Sequence, residues 1–301
     1  MQHSFTDFLS SKNLVIFPGG TGTELQRRGY KTTLPLWSAQ ANEDGFDLLT
    51  SIHEDYFKAG ADICVTNTFR TTPRSYKKVD RSAEDAHHSL KEAVRAARQA
   101  QKVITDRPTF VLGSMAPLED CYTPEDVPSI EELEDEHTQI ANWLAEEKVD
   151  AILVETVNSV EEAKYMAHAA SQTGLPFLVS FLVDEKGRLL DGRFVSEAVN
   201  VTDIPGRVAV GLNCRPIQTM DEALAHLTST YAGPVLLYPN GFGEPHEDQG
   251  WCFHENEDTM DNFLAYAQEW YEEGAKIIGG CCGTTPAYIQ ALSESGIGTK
   301  D

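Results

Sequence analysis

The chain has 301 residues, of which 41% are hydrophobic and 9% aromatic, so it can bury a large core and is not a disordered protein. Asp and Glu number 47 against 24 Lys and Arg, which gives a formal net charge of −23 at pH 7. Such a surface repels phosphodiester backbones and anionic lipid, so nucleic-acid and membrane-surface partners are not expected. The N-terminus lacks a secretory pattern and no apolar run reaches the ~18–20 residues of a membrane span, so we expect a cytoplasmic location.

Eight short apolar runs, each bounded by Gly, Pro, Asn or Asp, are predicted to be β-strands. Their apolar character is nearly continuous rather than alternating, which is typical of parallel strands that helices cover. The runs are Leu14–Phe17, Asp62–Thr66, Phe110–Gly113, Ala151–Val154, Phe177–Phe181, Val208–Gly211, Val235–Tyr238 and Lys276–Ile278.

Longer stretches between these runs have helical periodicity. They are Phe46–Ala59, Ala83–Ala100, Ile130–Glu147, Val160–Ser171, Met220–Tyr231 and Asp258–Glu273. Ser129 is the predicted N-cap of the third, with Glu132 in position to complete a capping box. Eight strands alternating with helices predict an α/β fold, a single (β/α)8 TIM barrel over residues 1–301. A doubly wound open sheet is the alternative, but the glycine-rich turn at 19–23 does not fit the dinucleotide fingerprint.

Glycine-rich and polar motifs follow directly after predicted strands, where a TIM barrel builds its active site. A glycine turn can bring backbone N–H groups close to an anion. Glu155 ends an apolar strand, so we expect its carboxylate to face the barrel mouth, to hold a cationic group or to cap the next turn. The asparagines are candidates for substrate hydrogen bonds or for bracing loops. The candidate residues are Gly19, Gly20 and Thr21 after the first strand, Asn67 after the second, Glu155 after the fourth and Asn213 after the sixth.

Three cysteines also follow strands, Cys214 after the sixth and the adjacent pair Cys281 and Cys282 after the eighth. Neighbouring Cα atoms stand 3.8 Å apart, below the usual ~4.4–6.8 Å disulfide span, so the pair is not expected to bridge itself. Three thiolates with one open position are the ligand set of a catalytic zinc ion. From spacing alone, a buried Cys214 and a chance pair are the alternative. Cys64 is predicted to be a core residue, and Cys121 and Cys252 to lie in loops without metal-type neighbours.

These motifs resemble the homocysteine S-methyltransferases, zinc barrels that include S-methylmethionine- and betaine-dependent enzymes and the homocysteine module of cobalamin-dependent methionine synthase. The similarity extends from about Leu14 to Ile289. Its most specific elements are residues 211–214 (Gly-Leu-Asn-Cys) and 279–286 (Gly-Gly-Cys-Cys-Gly-Thr-Thr-Pro). Residues 20–25, 61–62 with 66–69, and 155–156 add support.

The resemblance implies that Cys214, Cys281 and Cys282 ligate zinc. It also implies that the glycine turn after the first strand receives the homocysteine carboxylate and that Glu155 receives its ammonium group. One position departs from the family pattern, since Pro18 stands where the family usually has an aspartate that helps to hold this ammonium. The same chemistry on a different thiol acceptor is therefore an alternative.

The implied reaction is methyl transfer from a small sulfonium or quaternary ammonium donor to the acceptor thiol. S-methylmethionine is the first candidate donor, with S-adenosylmethionine or a betaine-like donor behind it, because one barrel leaves no room for a folate or cobalamin domain. Aromatic side chains near loops would suit a cationic donor; they are Phe69, Tyr122, Tyr238 and Trp251. A phosphate-binding barrel and a non-catalytic zinc- or thiol-binding protein are the competing hypotheses.

Overall fold

The computed structural model describes residues 4–241, 243–246, 250–253 and 258–299. Its strands are β1 (Val15–Ile16), β2 (Ile63–Val65), β3 (Phe110–Met115), β4 (Ala151–Val157), β5 (Phe177–Phe181), β6 (Arg207–Asn213), β7 (Val235–Tyr238), β8 (Gly243–His246), β9 (Gly250–Phe253) and β10 (Ala275–Ile278). Its α-helices are α1 (Phe5–Ser11), α2 (Thr21–Arg27), α3 (Phe46–Lys58), α4 (Pro73–Lys77), α5 (Ala83–Gln101), α6 (Ile130–Glu146), α7 (Val160–Gln172), α8 (Val195–Val201), α9 (Ile217–Thr228), α10 (Asp258–Glu272) and α11 (Pro286–Glu294). Short 3-10 helices lie at Ser38–Asn42 and Pro124–Asp126.

Eight parallel strands form one sheet in the order β1-β10-β7-β6-β5-β4-β3-β2. The two end strands approach each other at Asp62, whose N–H donates to the Ile16 carbonyl at 2.9 Å. The Asp62 carboxylate in turn accepts the Ile16 N–H at 3.0 Å and pairs with Arg107 at 3.2 Å. These contacts bring the ends of the sheet together into a nearly closed barrel with helices outside. The predicted (β/α)8 fold and all eight predicted strands are confirmed.

Helix α1 lies at the amino-terminal end of the barrel. Its Phe5 and Phe8 rings pack on Phe110, the first residue of β3, with centroid separations of 5.4 Å and 4.9 Å. Both side chains belong to the apolar cluster that fills the barrel interior. Since this end is packed with apolar side chains, polar chemistry is left to the opposite end, where the strands finish.

All six predicted long helices are present, and the capping box of α6 is confirmed. The Ser129 N–H donates to the Glu132 carboxylate at 3.0 Å, and the Glu132 N–H donates to the Ser129 hydroxyl at 3.4 Å. Helix α9 begins at Ile217, three residues before the predicted Met220, because Pro216 serves as its N-cap. No helix in the described ranges is both long and apolar enough to cross a membrane.

Several short elements were not predicted from the sequence. They are α1, α2, α4, α8, α11 and the antiparallel hairpin of β8 and β9. Each is too short for a periodic apolar pattern to stand out. The hairpin also corrects the prediction for Cys252, which lies in β9 rather than in a loop.

Candidate active site

Three cysteine thiols meet at the carboxyl end of the barrel. Cys214 directly follows β6, and Cys281 and Cys282 follow β10. The Sγ atoms of Cys214 and Cys281 are 3.1 Å apart, and all three Sγ atoms lie within 4.8 Å of one another. The fold therefore brings together the three residues that the sequence singled out as metal ligands.

The backbone around these thiols is held by bonds between neighbouring loops. The Cys281 N–H donates to the Pro239 carbonyl at 2.6 Å, and the Gly241 N–H donates to the Cys282 carbonyl at 2.7 Å. Cys214 has a φ of 58°, a left-handed conformation that non-glycine residues rarely adopt. Its N–H donates to the Tyr238 carbonyl at 3.3 Å, which supports this conformation. The segment after β7 thus links the two cysteine-bearing loops.

The three thiols share negative charge unevenly. The pKa of Cys214 lies well below its ordinary value because the Cys281 and Cys282 thiols donate hydrogen bonds that stabilise its thiolate. The Tyr122 hydroxyl, 3.5 Å from Cys214 Sγ, and the positive charge of Arg215 lower this pKa further. The pKa values of Cys281 and Cys282 are raised, since each would lose its hydrogen bond to Cys214 on ionising.

The donor set fits a soft, tetrahedral metal ion. Sulfur ligands ~2.3 Å from a tetrahedral zinc ion stand about 3.8 Å from one another. The Cys214 and Cys281 Sγ atoms are 3.1 Å apart and no pair of the three is more than 4.8 Å apart, so small side-chain movements suffice to reach that spacing. Thiolates also favour zinc over calcium or magnesium, which prefer oxygen ligands. The cysteine triad can therefore hold a metal ion and leave a fourth position open.

Glu155 presents a buried carboxylate near the triad. One of its oxygens accepts a hydrogen bond from the Ser114 hydroxyl, and the other accepts from the Tyr238 hydroxyl at 3.3 Å. The residue is 8% exposed, and burial raises the pKa of its carboxyl group to about 7. A nearby cation would restore the ionised form, so the site is suited to a positively charged ligand group.

The amides of Asn67 and Asn213 are engaged within the protein. The Asn67 amide donates to the Ser38 carbonyl and to Asn42 Oδ1, both at 2.8 Å. The Asn213 amide donates to the Thr156 hydroxyl at 2.8 Å and accepts the Thr156 N–H at 3.2 Å. Thr156 has a φ of 59°, so Asn213 holds the residue after Glu155 in a left-handed conformation. Both asparagines brace loops in the structure, and a substrate role for either stays a prediction.

The turn after β1 packs directly against the cysteine loop. The Gly20 N–H donates to the Thr284 carbonyl at 3.2 Å. A Cβ atom at Gly19 would lie 2.5 Å from the Thr284 carbonyl oxygen, and one at Gly20 would lie 2.4 Å from the Cys281 carbonyl oxygen. Thr21 then opens α2, whose first N–H groups have no acceptor within the helix. The glycines are therefore required by the close approach of two loops, whatever they bind.

Some site residues were underestimated from the sequence. Cys121 was expected to lack metal-type neighbours. It is buried, and its pKa is raised first by this burial and second by the charge of the nearby Cys214. Ser114 and Arg215 were not singled out, although Arg215 follows Cys214 directly in the sequence. Of the candidate aromatics, Tyr238 and Tyr122 reach the site as described above, whereas the Trp251 side chain lies outside the described residues.

Comparisons with known proteins agree with this geometry. The profile of the family described as Homocysteine S-methyltransferase matches residues 15–295. The chain is 28% identical to the homocysteine S-methyltransferase of Escherichia coli strain K12, over 94% of this chain and 96% of that one. It is 28% identical to a selenocysteine methyltransferase of Astragalus bisulcatus, over 95% and 94% of the two chains. The metallated form of the Escherichia coli homocysteine methyltransferase MmuM superposes with a TM-score of 0.84 at 26% identity, covering 96% of this chain and 98% of that chain.

Proposed function

Because this chain belongs to the homocysteine S-methyltransferase family, we propose that it transfers a methyl group from a sulfonium-type donor to the thiol of L-homocysteine, giving methionine. The family makes it an enzyme that methylates thiols, and the proposal concerns its acceptor, donor and metal. S-methylmethionine or S-adenosylmethionine is the proposed donor. The observation that carries the proposal is the cluster of three Sγ atoms within 4.8 Å at the carboxyl end of the barrel.

We propose zinc as the metal, held by Cys214, Cys281 and Cys282. When bound there, zinc supplies a Lewis acid that keeps an acceptor thiol deprotonated at neutral pH. A metal at this site is supported by the metallated form of MmuM, on which the chain superposes with a TM-score of 0.84. A cytoplasmic, reducing setting is proposed with it, because these cysteines ligate only as reduced thiols.

The chain's own residues orient the acceptor. Glu155 is proposed to bind the ammonium group of homocysteine, which supplies the cation that its buried carboxylate lacks. The turn formed by Gly19, Gly20 and Thr21 is proposed to receive the carboxylate, as the family pattern implies, through the backbone N–H groups of Gly19 and Thr21, since the Gly20 N–H donates to the Thr284 carbonyl. Pro18, directly before this turn, contributes neither charge nor an N–H donor. Acceptor recognition therefore rests more heavily on Glu155.

The methyl-transfer step itself requires no general acid or base from the protein. The acceptor thiolate forms a bond to the methyl carbon, and the C–S bond of the donor breaks with its electron pair returning to the donor sulfur. The sulfonium donor thereby becomes a neutral thioether, and no proton moves in this step. The protein's task is to align the two sulfur atoms and to accommodate the positive charge of the donor. We propose that the half-exposed Tyr122 ring accommodates this charge; the 3.5 Å distance from its hydroxyl to Cys214 Sγ supports the proposal.

The proposal is tested by measuring methyl transfer with zinc-loaded and chelator-stripped protein, and by titrating both with L-homocysteine or 3-mercaptopropionate. We expect transfer only with zinc, and zinc-dependent binding that favours homocysteine over the thiol without an amine. Full activity in the stripped protein would refute the zinc mechanism. Equal or stronger binding of 3-mercaptopropionate would instead favour a different thiol acceptor, for which the uncharged Pro18 is the supporting observation.

A further inference from the structure

Arg215 and Asn240 lie together at the edge of the cysteine triad. Arg215 follows Cys214 in the turn between β6 and α9, and its carbonyl accepts the Asn240 N–H at 2.9 Å. Asn240 stands between Pro239 and Gly241, whose backbone groups bond Cys281 and Cys282. Arg215 therefore belongs to a loop that carries a metal ligand, and Asn240 to the segment that links the two cysteine-bearing loops.

Both side chains have polar atoms without a partner. Arg215 Nε and Asn240 Oδ1 are buried, and neither makes a hydrogen bond. Among the described residues Arg215 also forms no ion pair, whereas Arg74 pairs with Glu119 at 3.2 Å and Glu132 at 2.8 Å. Carboxylates are abundant, since the chain has 47 acidic residues against 24 basic ones. A buried polar atom left unpaired in such a chain calls for a specific explanation.

The two unpaired groups match the head of an α-amino acid. A guanidinium group binds a carboxylate through two parallel N–H···O bonds, and an amide oxygen accepts a hydrogen bond from an ammonium group. An α-amino acid carries these two groups on one carbon atom, so two adjacent side chains can hold both. A betaine offers the carboxylate but has no N–H on its quaternary nitrogen.

Arg215 and Asn240 are distinct from the residues proposed to bind the acceptor. The glycine turn follows β1, and two strands, β10 and β7, lie between β1 and β6 in the sheet. Glu155 lies in β4, beyond β6 and β5 in this order, so the acceptor's carboxylate and ammonium group already have proposed partners on either side of Arg215 and Asn240. A second amino-acid head is therefore the ligand left for this pair. We propose that Arg215 and Asn240 bind the α-amino-acid head of the methyl donor, Arg215 its carboxylate and Asn240 its ammonium group. This inference rests on the proposed function, assigns residues to the amino-acid head that both proposed donors share, and disfavours a betaine-like donor.

The test compares S-methylmethionine with two truncated analogues in calorimetric binding and in methyl transfer. One analogue, (3-aminopropyl)dimethylsulfonium, lacks the carboxylate, and the other, 4-(dimethylsulfonio)butanoate, lacks the ammonium group. We expect Arg215→Met to weaken S-methylmethionine binding by about 10- to 100-fold, because hydrogen bonds to a charged group usually contribute this much to affinity. Binding of the carboxylate-free analogue should change by less than about threefold. Asn240→Leu should weaken S-methylmethionine binding by about tenfold and leave binding of the ammonium-free analogue unchanged.

Control variants keep the result interpretable. Arg95→Met removes an exposed arginine on the outer helix α5 and should leave all three Kd values unchanged. Arg215→Lys keeps the positive charge but loses the planar fork, so it should fall between wild type and Arg215→Met. Zinc content is measured for each variant, because Arg215 also lies beside a ligand.

Three outcomes would overturn the inference. In the first, Arg215→Met weakens binding of the two carboxylate-bearing compounds and of the carboxylate-free analogue equally. In the second, the variant loses zinc in proportion to its loss of donor binding. In the third, it raises the Kd of homocysteine and leaves that of S-methylmethionine unchanged. A wild-type enzyme that binds S-methylmethionine through Arg215 but transfers no methyl group to homocysteine would refute the proposed function and support the subsite.

Discussion

Cys214 Sγ lies 3.1 Å from Cys281 Sγ although 67 positions separate the two residues in the chain. Their strands, β6 and β10, are not neighbours in the sheet, since β7 lies between them. The contact depends on the segment after β7, which bonds the loops on both sides. The thiol cluster is therefore a product of strand order, and changes in any of three loops should disturb it.

Replacing one ligand should abolish metal binding and turnover together. We expect Cys282→Ala to lower zinc content to less than about a tenth of wild type, because two thiolates do not complete a tetrahedral site with an open position. Metal analysis and methyl-transfer assays check this. Cys64→Ala is the matched control, since Cys64 is a buried core residue in β2 and should affect stability alone. Full activity in a zinc-free Cys282→Ala protein would contradict the mechanism.

A methyl group at Gly20 should displace the cysteine loop. Its Cβ would lie 2.4 Å from the Cys281 carbonyl oxygen, so the loop must move and the thiols must separate. We expect Gly20→Ala to weaken zinc affinity by at least about tenfold, in line with other changes that disturb ligand orientation. Gly174→Ala is a suitable control, because Gly174 has a φ of 74° but a Cβ atom there would have no neighbouring atom within 4 Å. That variant should lose about 1 kcal/mol of stability and keep its zinc affinity.

Glu155→Gln should reduce activity and increase stability at alkaline pH. The folded-state pKa of Glu155 is raised from 4.5 to about 7, so its contribution to stability is present below pH 4.5 and is lost as pH rises through 7. At pH 8 the free energy of unfolding of the metal-free variant, measured with denaturant, should therefore exceed that of wild type by up to about 3 kcal/mol. Near pH 4 the two free energies should agree.

The activity of Glu155→Gln separates acceptor binding from general damage. We expect kcat/KM for homocysteine to fall at least about 100-fold, since a buried charge pair is lost. Activity with 3-mercaptopropionate, which has no amine, should fall much less. Equal losses with both thiols would show that Glu155 does not bind the ammonium group.

His53 should make the protein less stable in mild acid. The residue lies buried in α3, its Nε2 has no hydrogen-bond partner, and burial lowers its pKa from 6.5 to about 4. Its contribution to stability is therefore present above pH 6.5 and is lost as pH falls towards 4. Urea unfolding gives the free energy of unfolding at pH 7 and at pH 4. The loss of this free energy between pH 7 and pH 4 should be about 3 kcal/mol smaller in His53→Leu than in wild type. An unchanged difference would contradict this assignment.

The barrel strands were predictable because continuous apolar runs report burial on both faces of a strand. Phe177–Phe181 and Val235–Tyr238 occupy the predicted bounds in β5 and β7. The short helices were not predictable in this way, since α1 is stabilised by packing of Phe5 and Phe8 on a residue about a hundred positions away. Their positions depend on contacts that a local pattern does not contain.

The sequence by itself determined the eight strands of the barrel, the placement of the three cysteines after strands and the family resemblance, because these depend on residue types and their local order. The tertiary structure decided which hydrogen-bond partners and how much burial each site side chain has. It buried Glu155 and so raised its pKa, directed the amides of Asn67 and Asn213 to bracing loops, and left Arg215 and Asn240 unpaired beside the thiols. Hydrogen bonds and burial join residues that are distant in the chain, so their outcome follows only from the closed barrel.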